Sequence, residues 1–307
     1  MSHFTGIQYL PQAKIDKAKW DECIGRSVNG LIYAWSFYLD IMAAHWDALV
    51  YNDYEAVMPL TWNKKFGISY LYQPFLTAQL GVFGNDLEEG IADRFLHAIP
   101  RSFRLTEISL NSHNKINNSL AAVTRRNNFV LPLTKPYEQL SESYSENTRR
   151  NIRKAQQSGC RADKGFNAAE VTRLALQQMK HYGQESAENA NRFYRLYTLL
   201  SEKGMTNTFG IRSESGELLA SCIFFFSHNR AYYILVGNHP DSRITGASHA
   251  LIDSFIKDQA GSGMLLDFEG SDIPGLAAFY SGFGAVNEPY SFVKINRLPF
   301  FLRWLKG

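Results

Sequence analysis

The hydrophobic period of this chain changes in the same order twice, and that repeat limits the folds open to it. In the first half Ile7–Leu10 reads as a short strand, and Ile15–Ile24 and Ile32–Ala44 read as helices. Three strands follow, Trp46–Val50, Glu55–Trp62 and Ile68–Tyr72, with Asn52-Asp53 as a hairpin signal between the first two. A helix over Leu87–Ala98, a strand over Glu107–Leu110, a helix over Asn114–Ala122 and a strand over Val123–Leu133 complete the half. The second half repeats the order from a weak first strand. It has helices at Ala168–His181 and Asn189–Glu202, then strands at Thr206–Ile211, Leu218–Ser227 and Ala231–Val236. A helix from about Ala247 to Gln259, a strand at Met264–Phe268, a helix at Leu276–Tyr280 and a strand at Ser291–Ile295 end it. Residue identity between the halves is not evident, so the repeat is one of pattern. It predicts an α/β chain of two tandem units, 1–135 and 136–307, each with a mixed sheet.

A polar segment, Ser141–Arg161, lies where the units meet. It predicts a helix capped by Ser145 or Asn147 and stopped at Gly159. Arg149, Arg150, Arg153, Lys154 and Arg161 make it basic. A solvated face and a contact for an anionic acceptor or RNA are both open readings.

The totals bound what such a chain does. With 45% hydrophobic and 20% charged residues, its 307 residues can bury a core, and disorder is excluded. A net charge of +3 is too small for a DNA-binding stripe. Cys23, Cys160 and Cys222 have no paired spacing, and the histidines are scattered, so neither a disulfide framework nor a metal site is expected. The first residues lack a signal-peptide core, and no apolar run approaches the ~18 residues of a membrane helix. A cytoplasmic protein without an integral membrane segment is the expectation. Leu298–Lys306, short, aromatic and basic, reads as docking or as a membrane touch.

Residues 231–284 carry the chemistry. A strand leads into Arg243-Ile244-Thr245-Gly246-Ala247-Ser248 and then a helix. Unpaired amides at a helix N-terminus favour an anion, small residues let a phosphate approach, and Arg243 adds a charge. Asp267 and Glu269, two apart on a strand, are expected on one face, either solvated or serving as base or acceptor contact. A lysine-like amine is neutral about once in ~2,500 molecules at pH 7, a penalty of ~4–5 kcal/mol, so it needs such a base. An α-amino group loses only about tenfold, and positioning alone suffices for it.

These stretches resemble the GNAT acyltransferases. Arg243-Ile244-Thr245-Gly246-Ala247-Ser248 is similar to their Gln/Arg-x-x-Gly-x-Gly/Ala turn. The double-GNAT group of Fem-type peptidyltransferases and polysaccharide-cluster acetyltransferases is closer. Thr148-Arg149-Arg150-Asn151-Ile152-Arg153-Lys154-Ala155, Asp267-Phe268-Glu269-Gly270 and Phe279-Tyr280-Ser281-Gly282-Phe283-Gly284 resemble three of its motifs. Tyr280 stands where many members have Lys, and His181–Asn189 is too short for the coiled-coil arm of some Fem proteins. The resemblance implies an N-acyltransferase taking acyl-CoA, most simply acetyl-CoA, and an amine acceptor such as an amino sugar, amino acid or peptide. The donor would be held by Leu235, Val236, Arg243, Thr245, Gly246, Ala247 and Ser248. The backbone of Leu235–Gly237, parted from the next strand, would polarise the acyl carbonyl. Asp267, Glu269 and Tyr280 are the catalytic candidates, Tyr280 alternatively a packing residue. Arg149, Arg153 and Tyr233 are the substrate contacts. The first unit has only Leu80-Gly81-Val82-Phe83-Gly84 at the turn and is expected to be structural and to shape the acceptor side. An aminoacyl-tRNA-dependent enzyme and an idle binding protein are the alternatives.

Overall fold

The structure is a computed structural model and describes residues 6–85, 87–117, 122–181 and 186–299. In chain order it begins β1 (Ile7–Leu10), α1 (Lys17–Arg26), α2 (Ser36–Met42), β2 (His45–Tyr51), β3 (Ala56–Lys65), β4 (Ile68–Leu71) and β5 (Phe83–Gly84). Then come α3 (Ile91–Ala98), β6 (Phe103–Ser109), β7 (Ala122–Arg126), β8 (Phe129–Pro132), α4 (Tyr137–Glu142), α5 (Glu146–Gln157) and β9 (Arg161–Lys164). The chain continues with α6 (Ala168–His181), α7 (Ala187–Glu202), β10 (Thr206–Arg212), β11 (Leu218–Ser227), β12 (Arg230–Asn238), α8 (Ser242–Thr245) and α9 (Ala247–Gln259). It ends in β13 (Leu265–Asp267), α10 (Pro274–Ser281), β14 (Val286–Asn287) and β15 (Tyr290–Asn296).

The chain divides into two units, one of residues 1–126 with 289–307, the other of 127–288. The sheet of the first runs β1-β2-β3-β4-β6-β15-β7. The sheet of the second, read from its other edge, runs β9-β10-β11-β12-β13-β8-β14. The two orders are the same. In each the fourth strand pairs with the fifth in parallel, β4 with β6 and β12 with β13. The sixth place is filled in each from the other half of the chain, by β15 in the first sheet and β8 in the second.

This exchange moves the division expected at 135/136. The stretch read as one strand, Val123–Leu133, is two strands in different sheets, broken at Asn127-Asn128. β7 is an edge strand with exposed Thr124 and Arg125, whereas Phe129, Val130 and Leu131 of β8 are all buried. One period cannot describe an edge and an interior strand, and their junction is where the run should have been cut. Asn114–117 is not helical, and 118–121 lies outside the described residues. Ile32–Ala34 is a 3-10 turn separate from α2. α4 is an element that the sequence pattern did not single out. Most of Leu298–Lys306 lies outside the described residues.

The second unit closes over aromatic packing. Phe224 of β11 stacks on Phe255 of α9 with centroids 3.8 Å apart, and Phe209 of β10 meets the same ring edge-on. α5 starts as expected, the Ser145 hydroxyl accepting from the Thr148 amide, and Gly159 beyond its end has φ +67°. Its buried residues, Thr148, Ile152 and Ala155, recur at helical spacing and face α9 and its surroundings. Among the described residues no helix is long and apolar enough to cross a membrane.

Candidate active site

β12 carries the site because its two neighbours treat it differently. β11 accompanies it from Arg230 to Asn238, but β13 pairs only with Arg230, Ala231 and Tyr232. Beyond Tyr232 the strand runs on without β13 beside it. On the β11 side the register passes from Ile223↔Leu235 to Phe224↔Tyr233, leaving Ile234 unopposed in a bulge. A bulge re-aims the backbone next to it, and here the Leu235 amide faces the Cys222 thiol. On the opposite face α6 presses onto Gly237, where a Cβ would stand 2.7 Å from Leu174 Cβ and 2.8 Å from the Val171 carbonyl. The strand is therefore held from behind and open along one edge.

Polar side chains gather beside that opening. Cys222, Tyr233 and Tyr280 are buried, and the Glu269 carboxylate lies close enough to raise the pKa of Cys222 and of Tyr280. Burial is the larger cause for both. Tyr233 is pushed up by burial, then by Cys222 and Tyr280. All three groups therefore hold their protons near neutral pH. Among the described residues no group hydrogen-bonds to the hydroxyl of Tyr233 or Tyr280. Tyr280 stacks on Phe268 at 4.6 Å, so its ring is a packing residue while its hydroxyl is a spare donor. Cys222 is buried in the core of the second unit, and its thiol belongs to this cluster.

The two carboxylates do not share a strand face. β13 ends at Asp267, and Glu269 adopts φ +66° beyond it. Asp267 is buried and bound: its Oδ2 accepts from Arg230 Nη1 at 2.5 Å, and its Oδ1 from the Glu269 amide at 2.9 Å. Arg230 also reaches Glu288 at 3.2 Å. A carboxylate fixed by a buried guanidinium is not a free base, so Asp267 is a structural residue that orients the Glu269 loop. Glu269 lies near Cys222 and Tyr280 beside the opening.

The turn Arg243–Ser248 is not a plain loop. Ser242–Thr245 forms the helical turn α8, and Gly246, at φ +76°, ends it and caps α9. Arg243 is exposed, and Thr245 Oγ1 donates to the Asp241 carbonyl at 3.0 Å. Ala247 is buried, and Ser248 Oγ donates to Asn238 Oδ1 at 3.1 Å, tying the turn to the end of β12. Among the described residues no carbonyl accepts from the amides of Ala247 or Ser248.

Gly246 is small for a reason other than phosphate access. A Cβ on it would stand 2.2 Å from the Asn151 carbonyl of α5. Gly282 meets Thr148 of the same helix in the same way, its Cβ position 2.6 Å from Thr148 Oγ1, and the Ser145 amide donates to the Gly282 carbonyl at 2.8 Å. Three of the motifs thus touch one another, with α5 as the part they share. Arg149, Arg150, Arg153 and Lys154 of α5 are exposed, and no described carboxylate pairs with them. Arg149 donates to the Glu142 carbonyl at 2.6 Å and Arg153 weakly to that of Arg149 at 3.4 Å. Among the described residues no contact joins them to Tyr233. His249 packs against Phe279 at 4.8 Å and Phe283 at 5.9 Å, and burial lowers its pKa to about 4. It is neutral near pH 7.

The comparisons agree with this architecture. The model of the acetyltransferase (GNAT) domain matches residues 142–274. No curated protein sequence matches the chain. The crystal structure of FemX is similar over 97% of this chain and 99% of its own, with TM-score 0.66 and 13% identity. A conserved protein of unknown function from Bacteroides thetaiotaomicron VPI-5482 covers 92% of this chain and 99% of its own, with TM-score 0.57 and 14% identity. The C-terminal domain of an Agrobacterium fabrum protein named as a lysylphosphatidylglycerol synthetase covers 92% of each chain, with TM-score 0.56 and 12% identity. At these identities the likeness is one of fold. Residues 142–274 match a GNAT-type acetyltransferase domain, and the chain shares a two-unit fold with the FemX structure.

Proposed function

We propose that the chain is an N-acyltransferase that moves an acyl group from acyl-CoA to an amine. The observation that carries this reading is the unpaired edge of β12 beyond Tyr232, with a bulge at Ile234 and two unbonded tyrosine hydroxyls beside it. The donor supplies an activated acyl carbonyl. The Leu235 amide faces the Cys222 thiol, a weak acceptor that a carbonyl oxygen would displace. Tyr280 keeps its proton through burial, so its part is a hydrogen bond to developing negative charge, not net proton release. In this reading Glu269 takes a proton from the attacking ammonium or orients it. The residues of the turn suit a phosphate-bearing donor: two open amides start a 13-residue helix, with Arg243 exposed one turn before. In this reading the second unit binds the donor and carries the chemistry.

A second reading, an aminoacyl-tRNA donor, draws support from the unpaired basic face of α5. Thermal unfolding with acetyl-CoA, longer acyl-CoAs and charged tRNA separates the readings. A ligand at ~100 Kd adds ~2.7 kcal/mol. We expect acetyl-CoA to raise the Tm of the native chain and not of Ser248→Asp, which sets a charge against the phosphates. Absence of a shift with every acyl-CoA overturns the leading reading. A shift with charged tRNA alone, weakening steeply with salt, establishes the second.

A further inference from the structure

A cavity of about 640 Å³ opens in the second unit away from the β12 edge, between α5, α9 and strands β9 and β10. That size falls within the ~300–1,000 Å³ of ordinary small-molecule sites. β10 and β9 stand two and three strands from β12, so this space is separate from the transfer site and independent of the proposed reaction. Its floor is apolar, with Ile152, Phe209, Ile211 and Ala250.

The charges on its walls are mostly spoken for. Lys164 pairs with Asp258 at 2.5 Å, and Asp163 pairs with Arg212 at 2.7 Å. Asp253 differs. It is 9% exposed and lines the cavity, and no described Lys or Arg closes an ion pair with it. Its Oδ1 accepts from the Tyr137 hydroxyl at 2.9 Å, and the buried Tyr144 hydroxyl lies against the same carboxylate. Lys257, one turn on, is exposed and turned over the Tyr137 ring at 5.6 Å; its charge favours the Asp253 carboxylate from a distance but closes no ion pair with it. A buried carboxylate with no cation in direct contact is costly, and a cation bound against it relieves that cost.

We infer that this cavity is a binding site for a primary amine on an apolar stem, the ammonium meeting Asp253 and the stem lying on Ile152, Phe209 and Ile211. The chain carries its own reporter. Cys160 lines the cavity and is half-buried, whereas Cys23 and Cys222 are buried. The test follows the reaction of Cys160 with an aromatic disulfide reagent in the folded protein while n-hexylamine is titrated in. Hexylamine should slow the labelling hyperbolically, about tenfold at ~10 Kd. n-Hexanol, which has the stem without the charge, should protect much less. Asp253→Asn should lose the difference between the two probes, and Ala250→Phe, which fills the cavity, should lose protection by both. Equal protection by hexanol and hexylamine in the unmutated chain overturns the assignment without any variant, as does undiminished labelling at saturating hexylamine.

Discussion

Asp267 and Glu269 show what a sequence tells about single residues and what it withholds. Their spacing is legible, and on an uninterrupted strand it would put both on one face. The end of β13 is not legible, because it depends on Glu269 taking φ +66° and on Arg230, 37 positions earlier, binding Asp267. The two carboxylates therefore answer to different experiments. Arg230→Met leaves Asp267 buried without its main partner. It should cost about 3–5 kcal/mol, read as a lower urea midpoint at unchanged slope. Glu269→Gln touches no ion pair of that network and should leave the midpoint within about 0.5 kcal/mol. Its effect belongs in turnover: a fall in kcat/KM of roughly 10²–10⁴ with a lysine-like acceptor, smaller with an α-amine. If Glu269→Gln lowers the midpoint as much as Arg230→Met, Glu269 is a structural residue.

At the scale of elements, the motifs were visible but their mutual contacts were not. Arg243–Ser248 reads naturally as a phosphate turn, and the amides of Ala247 and Ser248 keep that reading alive. Gly246 has a second duty that local sequence cannot disclose, since the carbonyl that excludes a side chain there comes from Asn151, 95 residues away by number. The Asn151 and Gly246 motifs enter the same family resemblance, but nothing in their local spacing pairs them. A paired substitution separates backbone freedom from packing. Gly246→Ala and Gly261→Ala share the strain of a left-handed residue, φ +76° in both, worth about 1–2 kcal/mol. A Cβ on Gly261 meets open space, whereas one on Gly246 overlaps Asn151. Gly246→Ala should therefore be the more destabilising by at least ~1–3 kcal/mol, the cost of overpacking. Equal losses in urea unfolding would show that α5 yields at that contact.

For the whole molecule, the repeat of two α/β units was legible from the order of periods alone, but the exchange of β8 and β15 was not. Hydrophobic patterning says that a segment is a strand and which face it buries; it carries no label for the sheet that receives it. A strand in the sixth place has neighbours on both sides, β13 and β14 for β8, β6 and β7 for β15. Cutting the chain at the boundary suggested by composition therefore removes an interior strand from each sheet. Residues 136–307 lack β8, and the edges of β13 and β14 are left unpaired and prone to association. Residues 127–288 contain all seven strands of their sheet. The expected outcome is that 127–288 unfolds cooperatively in urea as a monomer, while 136–307 is aggregated or lacks a cooperative transition. Residues 1–126 should behave like the second fragment until a peptide spanning 289–307 supplies β15 in trans and restores a transition. Cooperative folding of 136–307 by itself would mean that β8 is dispensable to its sheet. The division of this fold into units would then follow chain order after all.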